Sequence, residues 1–368
     1  MSTHFHSLTV KEVTKETADA VTLSFDVPTE LESEFAYQQG QYLTLKFNID
    51  GEDVRRAYSM CSSPVDGDIA VCVKRIDKGL VSSYIHRQVK PGTRIEVMKP
   101  EGRFYTPTDP ENKKQYFLFG AGSGITPLMS ILRTVLEHEP MSTVFLQYGN
   151  RNEDSIIFKD KLDELEKKYK GQLVVEHILS QPKLEKVGGL RGLFSKGKAS
   201  WTGATGRVDG NAVRRLLKAN PLRNQPAEYF ICGPAGMIDA VETALLGQGV
   251  NAKNIHSERF SNAGQGAPAA TTSGGTTDAK ATVHLSGKTL EVMVPAGKTV
   301  LDALLDQKIE APYSCTSGAC STCMAKLTKG SVDMIACYAL DDDEVAEGYI
   351  LTCQSQPTSS EVELTYDV

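Results

Sequence analysis

The sequence predicts a multidomain protein: an antiparallel β-barrel, then an α/β domain built on a parallel sheet, then a small α+β domain. Three observations carry that prediction. Short β-branched and aromatic runs fill residues 1–108, strand and helix patterns alternate over 109–260, and a Gly/Ala/Ser/Thr-rich stretch at 261–280 sets apart residues 281–368. The length of 368 residues agrees, because one hydrophobic core rarely organises so long a chain.

In the first segment, runs at 20–25, 42–47 and 69–75 are separated by Gly, Pro and Asp turns, the pattern of a small barrel or sandwich. An apolar strand at 116–119 then leads through a glycine-rich turn into a helical stretch at 127–137. A strand at 143–148, a charged helix around 158–169 and a strand at 173–179 come next, which is the order of βαβ units. Residues 261–280 hold too little apolar surface to fold and read as a flexible tether, with a reach of about 25 Å. Beyond it, strands near 281–286 and 289–294 and a helix near 300–307 form the last unit. The stretch 190–205 reads as an insertion without an assigned role.

Composition narrows the function classes. Hydrophobic content of 40% and charged content of 23% are ordinary for a soluble protein, and a net charge of -6 argues against general nucleic-acid binding. No apolar run approaches the ~20 residues that span a bilayer. The opening MSTHFHSLTV has no basic segment followed by an apolar one, so the expected location is cytoplasmic, with no membrane partner.

The cysteines give the first chemical clue. Cys61, Cys72 and Cys232 are scattered, whereas Cys315, Cys320, Cys323, Cys337 and Cys353 crowd the end of the chain. Cys315, Cys320 and Cys323 have the spacing C-x4-C-x2-C, and Cys353 comes after 29 intervening residues. Four thiolates so spaced match a plant-type [2Fe-2S] cluster. The alternatives are structural zinc, which usually draws on paired C-x2-4-C units, and disulfides. Gly318 can take the unusual dihedrals such a loop needs. Cys337 falls outside the pattern and reads as a buried small apolar residue.

Five further segments suggest nucleotide chemistry. Arg56-Ala57-Tyr58-Ser59 lies between a strand and a turn, with an arginine able to hold a diphosphate and a tyrosine able to lie along a flavin ring. Val73 and Lys74, with Gly79 and Ser82, lead into a helix whose N-terminus offers N–H groups to phosphate. Gly122, Gly124 and Thr126 belong to a glycine turn that opens a helix, with Pro127 in its first turn. Cys232-Gly233-Pro234, with Met237, comes after another apolar strand. Arg151, after Tyr148-Gly149-Asn150, can pair with the 2′-phosphate of NADPH, with Lys159 assisting; its bland reading is a solvated surface charge.

Taken in this order, the motifs resemble the ferredoxin–NADP reductase superfamily, and 281–368 resembles the β-grasp fold of plant-type ferredoxins. The resemblance implies an FAD-binding barrel at 1–108, with FMN as the alternative flavin, and an NAD(P)-binding domain at 109–260. It also implies that Tyr58, Ser59, Cys232 and Glu258 surround the reacting flavin and nicotinamide, with Phe260 covering the flavin. Cys232 has a positional role there.

The domain order, together with VRRAYS, YGNR, FICGPAGM, HSERF and GYILTCQ, resembles the reductase subunits of bacterial multicomponent oxygenases. Within them the likeness is to reductases of phenylacetyl-CoA ring 1,2-epoxidases. That likeness implies an oxidoreductase passing electrons from NADPH (NADH being possible) through FAD and the cluster to a di-iron epoxidase in phenylacetate catabolism. The tether lets the ferredoxin domain visit first the flavin and then the partner. Reductases of other ring-hydroxylating or steroid oxygenases, a non-catalytic relay subunit and a stand-alone NADPH oxidase remain alternatives.

Overall fold

Alternate side chains of the first six strands point into one apolar core, and that alternation shapes the N-terminal sheet. The computed structural model describes residues 4–185, 198–260 and 277–367. Strands β1 (His6–Lys15), β2 (Ala20–Asp26), β3 (Tyr42–Ile49), β4 (Glu52–Ser59), β5 (Ile69–Lys74) and β6 (Arg94–Val97) form an antiparallel sheet in the order β4-β3-β6-β1-β2-β5. A bridge between Met60 and Val71 joins its two edges, so the sheet closes as a barrel. Helix α1 (Leu80–Gln88) lies between β5 and β6. Leu8, Leu23, Leu43, Leu45, Val71 and Val97 are among the buried side chains that fill the interior.

Runs buried on both faces make the second sheet parallel. Strand β7 (Gln115–Ala121) leads to α2 (Ile125–His138), β8 (Thr143–Asn150), α3 (Lys159–Lys168) and β9 (Leu173–Leu179). A short hairpin of β10 (Leu184–Glu185) and β11 (Lys198–Ala199) precedes β12 (Ala204–Thr205), α4 (Gly210–Ala219), β13 (Ala227–Gly233), α5 (Ala235–Gly247) and β14 (Ile255–Arg259). The strand order is β12-β9-β8-β7-β13-β14, with every pairing parallel. One face packs on α4 and α5. The other packs on α2, in an apolar cluster that also takes in Cys61, Ala70, Cys72 and Phe104 of the first domain. Phe104 meets Phe230 edge to face, with ring centroids 5.4 Å apart.

The C-terminal unit has its own core. Strands β15 (Ala279–Leu285), β16 (Lys288–Val294), β17 (Met324–Lys329), β19 (Tyr349–Leu351) and β21 (Glu361–Thr365) form a mixed sheet in the order β16-β15-β21-β17-β19. Helix α6 (Val300–Asp306) packs against it. A small sheet pairs β18 (Val332–Met334) with β20 (Ser355–Pro357), and α7 (Asp342–Ala346) precedes β19.

Two expectations need amendment. The Arg56–Ser59 motif lies inside β4 and not between a strand and a turn. Ala279 and Lys280 belong to β15, where they pair with Val294 and Met293, so ordered structure begins before the expected end of the tether. The rest of the tether, 261–276, and residues 190–197 of the insertion-like stretch lie outside the described residues. Among the described residues no helix is long and apolar enough to cross a membrane.

Candidate redox site

Register on β4 sorts the flavin candidates by face. Leu45 pairs with Arg56, Leu43 with Tyr58 and Tyr42 with Ser59, so Arg56 and Tyr58 share one face while Arg55 and Ser59 share the other. Tyr58 packs beside the barrel core, and burial raises its phenol well above the usual range. Arg56 donates from Nη1 to the Arg55 carbonyl at 2.7 Å, using one of its five N–H donors. Gly79 is the N-cap of α1 and supplies no side-chain cap to the first turn. The Ser82 hydroxyl accepts from the Ile76 N–H at 3.1 Å and pins that turn.

Alternation along β5 turns the Val73 side chain into the barrel core with Ile69 and Val71, which leaves its backbone to face a flavin. Lys159 forms an exposed ion pair with Asp163, one turn along α3, at 2.9 Å. Lys74 faces outward, 3.7 Å from Asp19, and its Nζ would stand 3.9 Å from a Cβ placed on Gly122. That contact joins the barrel motif to the glycine turn of the second domain.

The second domain presents a close backbone crossing. A 3-10 turn over Gly122–Gly124 runs directly into α2, whose Thr126 hydroxyl donates to the Ser123 carbonyl at 3.0 Å. A Cβ on Gly124 would lie 2.0 Å from the Cys232 carbonyl oxygen, so only glycine fits where the turn after β7 meets the end of β13. On the facing turn, Gly233 ends β13, Pro234 caps α5, and the Met237 side chain folds back over Gly233. This cradle of backbone N–H groups fits a pyrophosphate. Cys232 is fully buried, and burial pushes its thiol well above the ordinary value, which disfavours the thiolate.

Glu258 lies beside Cys232 in the β13–β14 register. The Ser59 hydroxyl donates to its Oε2 at 3.0 Å, linking the first two domains at the end of β4. Glu258 as a residue is half-buried, but its carboxyl is enclosed, and that desolvation pushes its pKa up to about 7 against the lowering effect of the Ser59 bond. Phe260, just beyond β14, is 36% exposed. Arg151 is exposed at the end of β8, with its carbonyl accepting from Gln181 at 2.7 Å.

In the C-terminal domain, Cys320, Cys323 and Cys353 are buried and Cys315 is half-buried. Their thiols lie in mutual hydrogen-bonding reach: Cys315 with Cys320 and Cys353, and Cys353 with Cys323. The Ser317 N–H points at the Cys315 sulfur at 3.5 Å, and Gln354 Nε2 at the Cys353 sulfur at 3.7 Å. Gly318 has φ 74°, and a Cβ there would stand 2.6 Å from the Ala336 carbonyl oxygen. Among the described residues no three His, Cys, Asp or Glu side chains converge on a single ion. Four thiols gathered by one loop and the turn after β19 suit a [2Fe-2S] cluster. All eight cysteines are free thiols. Cys337 is half-buried, not buried as expected, and packs at the margin of the domain core.

Sequence reasoning missed the face on which this domain docks. Tyr42 Oη lies 2.7 Å from Thr322 Oγ1, which in turn donates to Glu101 Oε2 at 3.0 Å. Thr44 donates to Ser314 at 2.9 Å, and Arg103 binds both the Glu344 carboxylate and the Ala339 carbonyl. These residues form no linear motif. A usable signal was present on β3, where polar Tyr42, Thr44 and Lys46 alternate with apolar Leu43, Leu45 and Phe47.

Comparison with known proteins agrees with this geometry. Family models match an oxidoreductase FAD-binding domain at 7–105, an oxidoreductase NAD-binding domain at 118–243 and a 2Fe-2S iron-sulfur cluster binding domain at 283–358. The chain is 39% identical to a 1,2-phenylacetyl-CoA epoxidase subunit from Escherichia coli K12, over 99% of this chain and 98% of that protein. It is 34% identical to the ferredoxin reductase component of 3-ketosteroid-9-alpha-monooxygenase from Rhodococcus rhodochrous, over 98% and 96% of the two. Among solved structures, phthalate dioxygenase reductase shares the fold with a TM-score of 0.56, at 24% identity over 98% of each chain.

Proposed function

The chain belongs to the family of oxygenase reductase components that carry FAD-binding, NAD-binding and [2Fe-2S] domains, and from that premise we propose NADPH as its donor and a phenylacetyl-CoA ring epoxidase as its acceptor. As a member of this family it is an electron-transfer reductase. The full-length 39% identity to the epoxidase subunit supports that acceptor, and the motif resemblance supports a di-iron oxygenase. A cytoplasmic location suits such a partner.

The bound flavin and cluster supply the conversion of a two-electron input into single electrons, and the protein's part is binding, orientation and proton control. Arg56 holds the flavin diphosphate, with the first turn of α1 beside it. Tyr58 and Ser59 flank the ring. The turns at Gly122–Gly124 and Gly233–Pro234 bring NADPH against it, with Thr126 and Met237 shaping the cradle and Cys232 filling the space beneath. Cys315, Cys320, Cys323 and Cys353 ligate the cluster.

Removing the Arg56 guanidinium takes away a charge-assisted phosphate contact of about 1.5–3 kcal/mol. Arg56→Ala therefore leaves less flavin on the protein after dialysis, measured by absorbance per chain. Full occupancy would assign Arg56 to the surface.

The Ser59–Glu258 pair holds a proton at the meeting of the two domains. With its pKa raised from 4.5 to about 7, the folded protein retains this proton over a pH range in which the unfolded chain has lost it. The stabilisation is therefore present at low pH and falls as pH rises from about 4.5 to about 7. Stopped-flow hydride transfer from NADPH is expected to show an inflection near pH 7 that Glu258→Gln abolishes. An inflection that survives in the variant places the proton elsewhere.

The deciding experiment reconstitutes the purified reductase with phenylacetyl-CoA epoxidase oxygenase subunits and measures NADPH-dependent epoxide formation. Efficient support of a 3-ketosteroid oxygenase, with none for the epoxidase, would transfer the assignment to the steroid class.

A further inference from the structure

Arg55 carries a charge with no carboxylate partner among the described residues. The residue is 9% exposed, and its Nε and Nη1 are buried with no hydrogen-bond partner among the described residues. Its guanidinium carbon stands 4.1 Å from the centroid of the Tyr313 ring and 4.9 Å from that of Phe5. Lys46, opposite it on β3, also reaches the Phe5 ring but is paired with Glu96 at 2.6 Å. Aromatic faces offset part of the cost of burying a guanidinium, but unpaired donors in a desolvated place call for an anion nearby.

The surroundings indicate which anion. Tyr313 comes two residues before Cys315, and Ser314 between them receives the hydrogen bond from Thr44. Thr322, between Cys320 and Cys323, meets Tyr42. The docked barrel face thus holds the cysteine loop at both flanks, and of its cations Lys46 is paired with Glu96 and Arg103 with Glu344, which leaves Arg55 without a carboxylate partner among the described residues. Arg56 lies on the opposite side of β4 with Tyr58, so the two consecutive arginines are placed to serve two different groups.

We propose that Arg55 is a positioning residue whose charge is balanced by the [2Fe-2S] cluster in the docked state, so that docking raises the cluster's reduction potential. The proposal rests on the reading of the four cysteines as cluster ligands. An iron–sulfur cluster on four thiolates is anionic, and accepting one electron from the flavin adds one negative charge. A fixed cation close by favours the reduced form. When the domain leaves the barrel it leaves Arg55 behind, and the cluster becomes a stronger donor to whatever it meets next.

The test is a redox titration of the full-length holoprotein, with the reduced cluster followed by electron paramagnetic resonance. Arg55→Gln is expected to lower the cluster potential enough to shift the flavin-to-cluster equilibrium about tenfold, equivalent to about 59 mV for one electron. Arg55→Lys keeps the charge and should keep most of the potential. Equal shifts in both variants would make packing the cause and overturn the proposal, as would an unchanged potential in Arg55→Gln. Loss of flavin at an unchanged potential would reassign Arg55 to the flavin. Should Arg55→Gln yield no holoprotein, Arg103→Ala loosens the same docked face from outside the cysteine loop and should lower the potential likewise; an unaltered value overturns the proposal. A wild-type protein without iron and sulfide would instead sink the cluster reading itself.

Discussion

Cys315→Ser, Cys320→Ser, Cys323→Ser and Cys353→Ser are each expected to drop the iron content from about two per chain to background, while flavin remains bound. Serine keeps the size but not the soft thiolate, and a binuclear cluster with three protein sulfurs lacks a ligand on one iron. Cytochrome c reduction through the cluster should fall to background as well, while NADPH-driven ferricyanide reduction at the flavin continues. The loss should also loosen the C-terminal domain, because Cys323 and Cys353 belong to its apolar core and metal binding contributes to folding. Cys337→Ser should retain iron, sulfide and both activities. Iron and sulfide analysis of all five variants is the check, and loss of the cluster in Cys337→Ser alone would refute the ligand set.

Arg151→Ala has the second-largest expected effect. A guanidinium facing a dianionic 2′-phosphate makes charge-assisted hydrogen bonds, where NADH presents only a hydroxyl. Arg151 is exposed at the C-terminal end of β8, and the ammonium of Lys159 is held by Asp163. The proposed preference for NADPH is therefore assigned to Arg151. At about 1.5–3 kcal/mol, the substitution should cut the NADPH/NADH ratio of kcat/KM by roughly 10- to 150-fold. The change should appear in KM for NADPH, with kcat for either coenzyme nearly unaltered, because the contact is remote from hydride transfer. A wild-type enzyme that prefers NADH, or a variant that keeps its NADPH preference, would make Arg151 a surface charge only.

The fold class was legible because its signals are local. Period-two burial marks the barrel strands, and the apolar run of β7 followed by a glycine turn marks a parallel strand entering a helix. β4 was misplaced for a physical reason: Glu52, Asp53, Arg55 and Arg56 give this strand a polar surface that reads as a turn, and the barrel closes only at Met60 beyond it. Two further features were readable from the sequence alone. Val73 continues the inward period of Ile69 and Val71, and Lys159 and Asp163 have helical i,i+4 spacing. The docked face was not legible, because Tyr42 and Thr322 are 280 positions apart and neither belongs to a motif.

Counting sheets suggests three independent units, yet the cores count differently. The apolar cluster around α2 draws Cys61, Cys72 and Phe104 from the barrel into the parallel-sheet domain, and hydrogen bonds from Ser130 to the Ser62 carbonyl and between Ser63 and Thr134 seal the seam. No comparable shared core among the described residues reaches the C-terminal sheet, whose named contacts with the barrel are polar or stacked on arginine. Cooperativity in unfolding tracks shared apolar burial, so the first two domains should melt together and the third separately. Chelation of iron would lower the third domain's transition and leave the larger one in place. On that expectation the protein has two thermodynamic parts: the first two domains, joined by a shared apolar core, and a third whose stability draws on its cluster.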